Sequence, residues 1–145
     1  MKRVLFIMLM SLMFLFATAE DSLACSCQLS MKPVKQQVKD SYNSSTAIFS
    51  GEVTEIVSND EFSITVKFKV TKSWKSKFQS DITTKTSKDS SMCGYSFEVG
   101  KKYFVYANGS KNELSTNNCS RTAIFGNKQE IRFLDRLKKT KGKSA

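Results

Sequence analysis

Residues 62–71 read Phe-Ser-Ile-Thr-Val-Lys-Phe-Lys-Val-Thr, and this stretch decides the fold class of the chain. Apolar and polar side chains alternate through five periods, which is typical of a strand with one face in a core and the other in water. We therefore expect the core to receive Phe62, Ile64, Val66, Phe68 and Val70, while Lys67 and Lys69 face solvent.

The residues on either side extend the β pattern. Residues 47–57 predict a long first strand, in which Gly51 indicates a bulge or sharp bend of the kind small barrels need at their corners. Asn59-Asp60 predicts the turn between the two strands. Weaker or shorter strand patterns follow at residues 82–86, 103–107 and 114–116, separated by turn signals at residues 98–101 and at Asn108-Gly109.

Two segments have helical character. Residues 35–45 are consistent with a short helix or a loop, and residues 127–139 predict an amphipathic helix with Ile131, Leu134 and Leu137 on one face. Five strands, a glycine bend and a flanking helix favour a mainly β fold, a five-stranded Greek-key barrel of the OB type with a C-terminal amphipathic helix. The pattern alone leaves a β-sandwich open.

The N-terminal residues predict export. Lys2 and Arg3 precede an apolar run from Val4 to Phe16, which is shorter than the roughly 20 residues of a membrane span. Cleavage after Ala19 or after Ala24 fits the small residues that follow. We expect a signal peptide over residues 1–24, a domain over 25–140 and a basic tail over 141–145. The processed protein is then secreted, extracellular or periplasmic, and does not span a membrane.

Composition narrows the functional classes. The chain has 145 residues, a net charge of +10 and no histidine, which excludes Ser-His-Asp and Cys-His catalytic pairs and zinc sites with histidine ligands. We predict no enzyme activity and no cofactor. The positive charge favours anionic extracellular surfaces as partners, and export argues against nucleic acid.

Four cysteines, Cys25, Cys27, Cys93 and Cys119, predict a disulfide framework in an exported chain. A Cys-x-Cys pair does not readily close on itself, so each member needs a distant partner. Four cysteines allow three pairings, and the sequence spacing by itself does not choose between them. A redox-active or metal-binding Cys-x-Cys is the alternative.

The whole predicted domain resembles the netrin-like modules of the tissue inhibitors of metalloproteinases. The resemblance is carried by Cys25-Ser26-Cys27 behind a signal peptide, the strand pattern from Ala47 to Val53, Trp74-Lys75, Cys93-Gly94 and Cys119-Ser120-Arg121-Thr122. The chain lacks the third disulfide of the inhibitory domain, the second subdomain of animal members and the Pro-x-His-Pro segment, where it has Gln28-Leu29-Ser30-Met31.

The resemblance implies disulfides Cys25–Cys93 and Cys27–Cys119. It also implies an inhibitory role for Cys25, Ser26 and Cys27, in which the α-amine and carbonyl oxygen of Cys25 chelate the catalytic zinc of a target metalloendopeptidase. Ser26 would point into the pocket beside that metal. We expect a monomer.

Other interpretations of these residues stay open at this point. Cys25 and Cys27 would serve only as staples if the chain is a non-inhibitory netrin-like binding module of the cell envelope or extracellular matrix. Trp74, which follows in a lysine-rich turn with Lys72, Lys75 and Lys77, is interpreted as a core or barrel-rim aromatic rather than as a binding platform.

Overall fold

The computed structural model describes residues 25–76, 80–110, 113–124 and 127–142. The signal peptide predicted over residues 1–24 and the end of the predicted basic tail, residues 143–145, lie outside the described residues. Within the described ranges, no helix is long and apolar enough to cross a bilayer. In chain order the elements are α1 (Val34–Ser44), β1 (Ala47–Ser58), β2 (Ser63–Lys75), β3 (Asp81–Ser87), a 3₁₀ turn (Ser90–Met92), β4 (Lys102–Ser110), β5 (Glu113–Ser115), β6 (Ala123–Ile124) and α2 (Lys128–Gly142).

Five strands close into a barrel in the order β1-β2-β3-β5-β4, with β4 pairing back to β1. All neighbours are antiparallel except β3 and β5, which are parallel at Thr84–Leu114 and Lys85–Ser115. The closed barrel, its C-terminal helix and its two disulfides confirm the predicted fold class and exclude the β-sandwich. The two-residue strand β6, which pairs with β4, was too short for the sequence pattern to indicate.

Gly51 marks the bend in β1, as predicted. The register between β1 and β2 shifts between Ser50 and Gly51. A Cβ at Gly51 would lie 2.9 Å from the carbonyl oxygen of Lys69 and 3.2 Å from the Cβ of Phe68. Glycine is therefore needed here because the two strands approach closely where β1 turns around the barrel.

The barrel interior is an apolar cluster in which aromatic rings meet edge to face. The ring of Phe68 lies 5.4 Å from that of Phe49 and 5.3 Å from that of Phe97. Val66 and Phe68 are fully buried, and Ile64 and Val70 pack at the margin of this cluster, as the alternation predicts. The remaining buried members are Ala47, Val53, Tyr103, Val105, Ala107 and Leu114.

The inward position predicted for Phe62 is wrong, because this side chain is 60% exposed. The strand begins one residue later, at Ser63. The carboxylate of Asp60 accepts the backbone N–H groups of Phe62 (2.8 Å) and Ser63 (2.7 Å), so the chain is still in the turn at this position. An Asx-type turn of this kind competes with strand pairing and takes the first aromatic out of register.

The two helices cover the outer faces of β1 and β4 and form a second core. Its buried members are Val38, Tyr42, Ile48, Trp74, Phe104, Tyr106 and Leu134. Ile131 and Leu137 pack around Leu134, which confirms the predicted apolar face of α2. Strands β1 and β4 are consequently buried on both faces, so their sequences show runs of apolar residues rather than alternation.

Two turn predictions are wrong. The lysine-rich turn around Trp74 belongs to β2, which continues to Lys75, and Trp74 is a core residue whose ring lies 5.0 Å from that of Phe104. Lys77 lies outside the described residues. Asn108-Gly109 lies inside β4, where the two residues pair with Ser115 and Leu114 of β5.

Phe68 and Phe62 provide a matched test of the β2 register. Phe68→Ala should lower the free energy of unfolding by about 3–5 kcal/mol, because the ring is fully buried. Phe62→Ala should change it by less than about 0.5 kcal/mol, because the ring is exposed. Urea unfolding of the two variants measures both values, and equal losses would contradict this register.

Candidate functional site

The Cys-x-Cys segment lies on the surface and is held by disulfides. Cys25 is partly exposed, and residues 26–36 are exposed throughout. The disulfides join Cys25 to Cys93 and Cys27 to Cys119, with Cα–Cα distances of 5.0 and 5.2 Å. This pairing confirms the connectivity that the resemblance implied.

The two disulfides bring three separate segments together. These are residues 25–28, the loop 88–94 around the 3₁₀ turn, and the loop 117–121 before β6. The sulfur atoms of Cys25 and Cys119 are 3.9 Å apart, so the two bridges lie side by side. The backbone N–H of Asn118 donates to the carbonyl oxygen of Cys93 at 2.9 Å, which links the two loops directly.

The sulfur cluster is not a metal centre. The sulfur atoms of Cys25, Cys27 and Cys119 lie within 4.8 Å of one another, a spacing that would suit a metal ion. Each of them belongs to a disulfide, whereas a metal is bound by thiolates. With all four cysteines paired, the Cys-x-Cys segment has no free thiolate with which to bind a metal ion.

The backbone of Cys25 is oriented by loop 88–94. Its N–H donates to the carbonyl oxygen of Ser91 at 2.8 Å. No described residue donates a hydrogen bond to the carbonyl oxygen of Cys25, and the side chain of Ser26 bonds to no described residue. Cys25 therefore has a backbone nitrogen whose direction is fixed by Ser91, and a carbonyl oxygen that accepts no hydrogen bond from the described residues.

Loop 88–94 has its own internal support. The carboxylate of Asp89 accepts the backbone N–H of Ser91 at 2.8 Å, and this bond lowers the pKa of Asp89 below its ordinary value. Cys93 has the left-handed φ of 61°, which is uncommon for a residue other than glycine, and its disulfide and neighbours hold it there. Sequence reasoning missed Asp89 and Ser91, since it treated residues 88–92 as a plain polar loop.

Gly94 allows this loop to fold back on β3. Its N–H donates to the carbonyl oxygen of Asp89 at 2.9 Å. A Cβ at this position would overlap the carbonyl oxygen of Ser87 and lie 2.7 Å from that of Asp89. Glycine is therefore required at position 94 by close packing of backbone against backbone.

Hydroxyl groups hold the other loop, which carries Cys119. The side-chain oxygen of Asn117 accepts the N–H groups of Cys119 (3.0 Å) and Ser120 (2.9 Å). The hydroxyl of Thr116 lies 2.7 Å from that of Thr122 and donates to the carbonyl oxygen of Tyr106 at 2.9 Å. The position of Cys119, and through it that of Cys27, is fixed by side chains on both sides of the loop.

A buried ion pair joins this loop to α2. Arg121 donates two hydrogen bonds to the carboxylate of Glu130, at 3.0 and 2.9 Å, and the hydroxyl of Tyr106 donates to the same carboxylate at 2.6 Å. Burial, together with the bond to Glu130, raises the pKa of Tyr106 far above its ordinary value. This network connects Arg121, two residues after Cys119, to both the barrel and α2.

Sequence reasoning missed this ion pair, although a signal for one half of it is present. Asn127 precedes α2, and its side-chain oxygen accepts the N–H of Glu130 at 3.2 Å. An Asn followed three residues later by Glu is a capping-box spacing and could have marked both residues. Nothing in the sequence indicates that Arg121 is the partner of Glu130.

Exposed apolar side chains surround the Cys-x-Cys segment. Leu29 is 89% exposed and Met31 is 99% exposed, and both follow Cys27 closely in the chain. Met92 projects from the loop that carries Cys93 and is also exposed. These side chains add exposed apolar surface to the loops that carry the disulfides.

Comparison of the chain with models of known protein families gives no match, and comparison with curated protein sequences gives none either. The likeness to netrin-like modules therefore stays a prediction from the residues named above.

Gly94→Ala tests the packing of loop 88–94. The added methyl group forces the loop away from β3, so the free energy of unfolding should fall by about 3 kcal/mol. Ser90→Ala in the same loop is the control, since Ser90 is exposed, and should change it by less than about 0.5 kcal/mol. Thermal or urea unfolding reports both, and a neutral Gly94→Ala would contradict the close approach described here.

Proposed function

We propose that this chain is an exported inhibitor of zinc metalloendopeptidases whose mature N terminus is Cys25. The α-amine and carbonyl oxygen of Cys25 bind the catalytic zinc of the target and displace the water that the zinc activates. Ser26 enters the pocket beside the metal, and Cys27 holds the segment in place. The observation that carries the proposal is the geometry of the Cys25 backbone.

The hydrogen bond to Ser91 supports the role of the nitrogen. In the full chain this nitrogen is an amide, and cleavage before Cys25 turns it into a primary amine. One N–H of that amine continues to donate to the carbonyl oxygen of Ser91, at the 2.8 Å that the structure has. The lone pair is then directed away from the loop and is free to bind a metal ion.

The carbonyl oxygen of Cys25 supports the second half of the chelate. No described residue donates to it, so binding zinc breaks no hydrogen bond with the described part of the protein. Nitrogen and oxygen ligands both suit zinc, and a catalytic zinc keeps one position open for such a ligand.

Preorganisation supports tight binding by so short a segment. Residues 25–28 have no regular secondary structure, yet two disulfides and the bond to Ser91 hold them against two loops. The segment therefore loses little conformational entropy when it enters an active-site cleft. Leu29, Met31 and Met92 supply exposed apolar contacts around it.

The proposal includes location and partners. Two disulfides are typical of proteins in oxidising compartments, which agrees with a secreted or periplasmic protein. The chain acts as a monomer and has no catalytic activity of its own. The second candidate function is a non-inhibitory binding module of the envelope or matrix, which is favoured by cations on α1 and α2 that form no ion pair with a carboxylate of the described residues.

The decisive experiment compares the protein that begins at Cys25 with one that has a single added residue ahead of Cys25. The exported protein is first sequenced from its N terminus, and the form that begins at Cys25 is assayed against a panel of zinc endopeptidases. We expect one-to-one inhibition that is lost when a single alanine is added ahead of Cys25, because the amine becomes an amide and the extra residue occupies the place of the metal.

Two controls separate inhibition from folding. The alanine-extended protein should keep both disulfides and the unfolding midpoint of the parent, since the bond from the Cys25 nitrogen to Ser91 is present with either N terminus. Ser26→Gly should weaken inhibition less than the extension does, because it leaves the chelate intact. Equal potency of the extended and parent forms, or no inhibition by the correctly processed form, would overturn the proposal.

A further inference from the structure

A second surface lies away from the disulfides, in a groove between α1 and α2. The groove has a volume of about 550 Å³ and contains the apolar side chains of Pro33, Val34, Val38 and Phe133. Val34, the first residue of α1, is 62% exposed at this groove. Lys35, Arg132 and Arg136 line the same groove.

Cations continue along α2 beyond the groove. Lys128, Arg132, Arg136 and Lys139 follow one another at helical spacing, so they form one stripe on the exposed side of the helix. Arg132, Arg136 and Lys139 also line a shallow depression next to the groove, together with Asp135. We call the groove and this stripe the basic helical face.

Among the described residues, two carboxylates border the basic helical face: Glu130 lines the groove and Asp135 lines the depression, and both form ion pairs with cations outside the face. The acidic side chains of α1 and α2 are Asp40, Glu130 and Asp135. Their ion pairs are with Lys32, Arg121 and Lys72, and none is with a cation of the face. Arg136 instead lies over the ring of Phe133, 5.6 Å from its centre.

Three lysines on or beside the barrel strands, in contrast, form ion pairs with carboxylates. Lys67 pairs with Glu55, Lys85 with Glu113, and Lys101 with Glu98, at nitrogen–oxygen distances of 2.6, 2.6 and 2.7 Å. Among the described residues, these three lysines are thus paired with carboxylates, whereas the cations of the basic helical face are not.

We infer that the basic helical face docks on an anionic phospholipid surface, with Val34 and the groove at the boundary between headgroups and acyl chains. Cations beside an exposed apolar side chain are the arrangement of an interfacial helix, in which the apolar part leaves water while the charges attract lipid phosphates. A hydrophilic polyanion such as a polysaccharide would use the cations and gain nothing from Val34. The inference does not depend on protease inhibition.

The first test removes charge from the face. The triple variant Arg132→Gln, Arg136→Gln, Lys139→Gln should bind vesicles of phosphatidylcholine with 30% phosphatidylglycerol on the order of 100-fold more weakly than the parent, at roughly fivefold per cation near an anionic surface. Vesicle co-sedimentation at 0.1 M salt measures the affinity. Vesicles of phosphatidylcholine alone should bind neither protein.

The matched control removes the same charge from the barrel. Lys67→Gln, Lys85→Gln, Lys101→Gln also lowers the net charge from +10 to +7 (10 − 3), and should lower vesicle affinity by less than about fivefold. Parent, variant and control are prepared with the same N terminus, so any lipid affinity of residues 4–16 affects all three alike. Equal losses in the two triple variants would show that only net charge matters and would overturn the inference.

The second test locates the contact. Val34→Trp places an indole at the groove, and its fluorescence should shift to the blue and be quenched by brominated acyl chains when anionic vesicles are added. Val99→Trp is the control, because Val99 is 61% exposed in the turn before β4 and lies outside the groove. The native Trp74 is buried and gives the same background in both proteins.

The same tests distinguish phospholipid from the competing partner, a hydrophilic polyanion. Soluble dextran sulfate should bind the parent, but without a blue shift at Val34→Trp. If the shift with vesicles is absent, or dextran sulfate produces it equally, the face binds polyanions rather than lipid and the inference is wrong.

Discussion

The two disulfides impose the constraint that holds the Cys-x-Cys segment, the proposed inhibitory end, against the rest of the protein. Residues 25–28 have no strand or helix partner, so their position comes from two bridges and one hydrogen bond to Ser91. The bridges close loops of 68 and 92 residues, and each is worth roughly 4 kcal/mol in the chain-entropy account. Without them, the four residues that carry the proposed chelate would move freely, because no core contact retains them.

The bridges hold the segment well only because the loops they join are themselves fixed. Helix α2 fixes the loop of Cys119 through Glu130, and it is held on the barrel through Asp135. Glu130 accepts hydrogen bonds from Arg121 and Tyr106, and Asp135 accepts one from the indole of Trp74 at 2.7 Å. Burial alone would raise the pKa of Asp135, but hydrogen bonds from Lys72 and Trp74 outweigh it and lower that pKa. The helix that closes the second core thus also positions the loop of Cys119.

The ion pairs of the two α2 carboxylates also explain why the basic helical face differs in charge from the Cys-x-Cys end. Because Glu130 pairs with Arg121 and Asp135 pairs with Lys72, neither carboxylate forms an ion pair with the exposed cations Arg132, Arg136 and Lys139 of α2. The Cys-x-Cys end instead has exposed apolar side chains and backbone groups. One surface therefore suits a cleft that contains a metal ion, and the other suits an extended layer of negative charge.

Local patterns in the sequence were enough to predict three features of the fold. Alternation at residues 63–70 set the inward face of β2, Gly51 marked the bend, and the spacing of Ile131, Leu134 and Leu137 gave the helix. The tertiary structure decided what depends on distant partners. Phe62 left the core because Asp60 holds it in the turn. Trp74 is in the core, as its sequence interpretation allowed, but its partner Asp135, 61 residues away, came only from the fold. The bond from Cys25 to Ser91 was likewise invisible to any local pattern, since the fold alone brings these two backbones together.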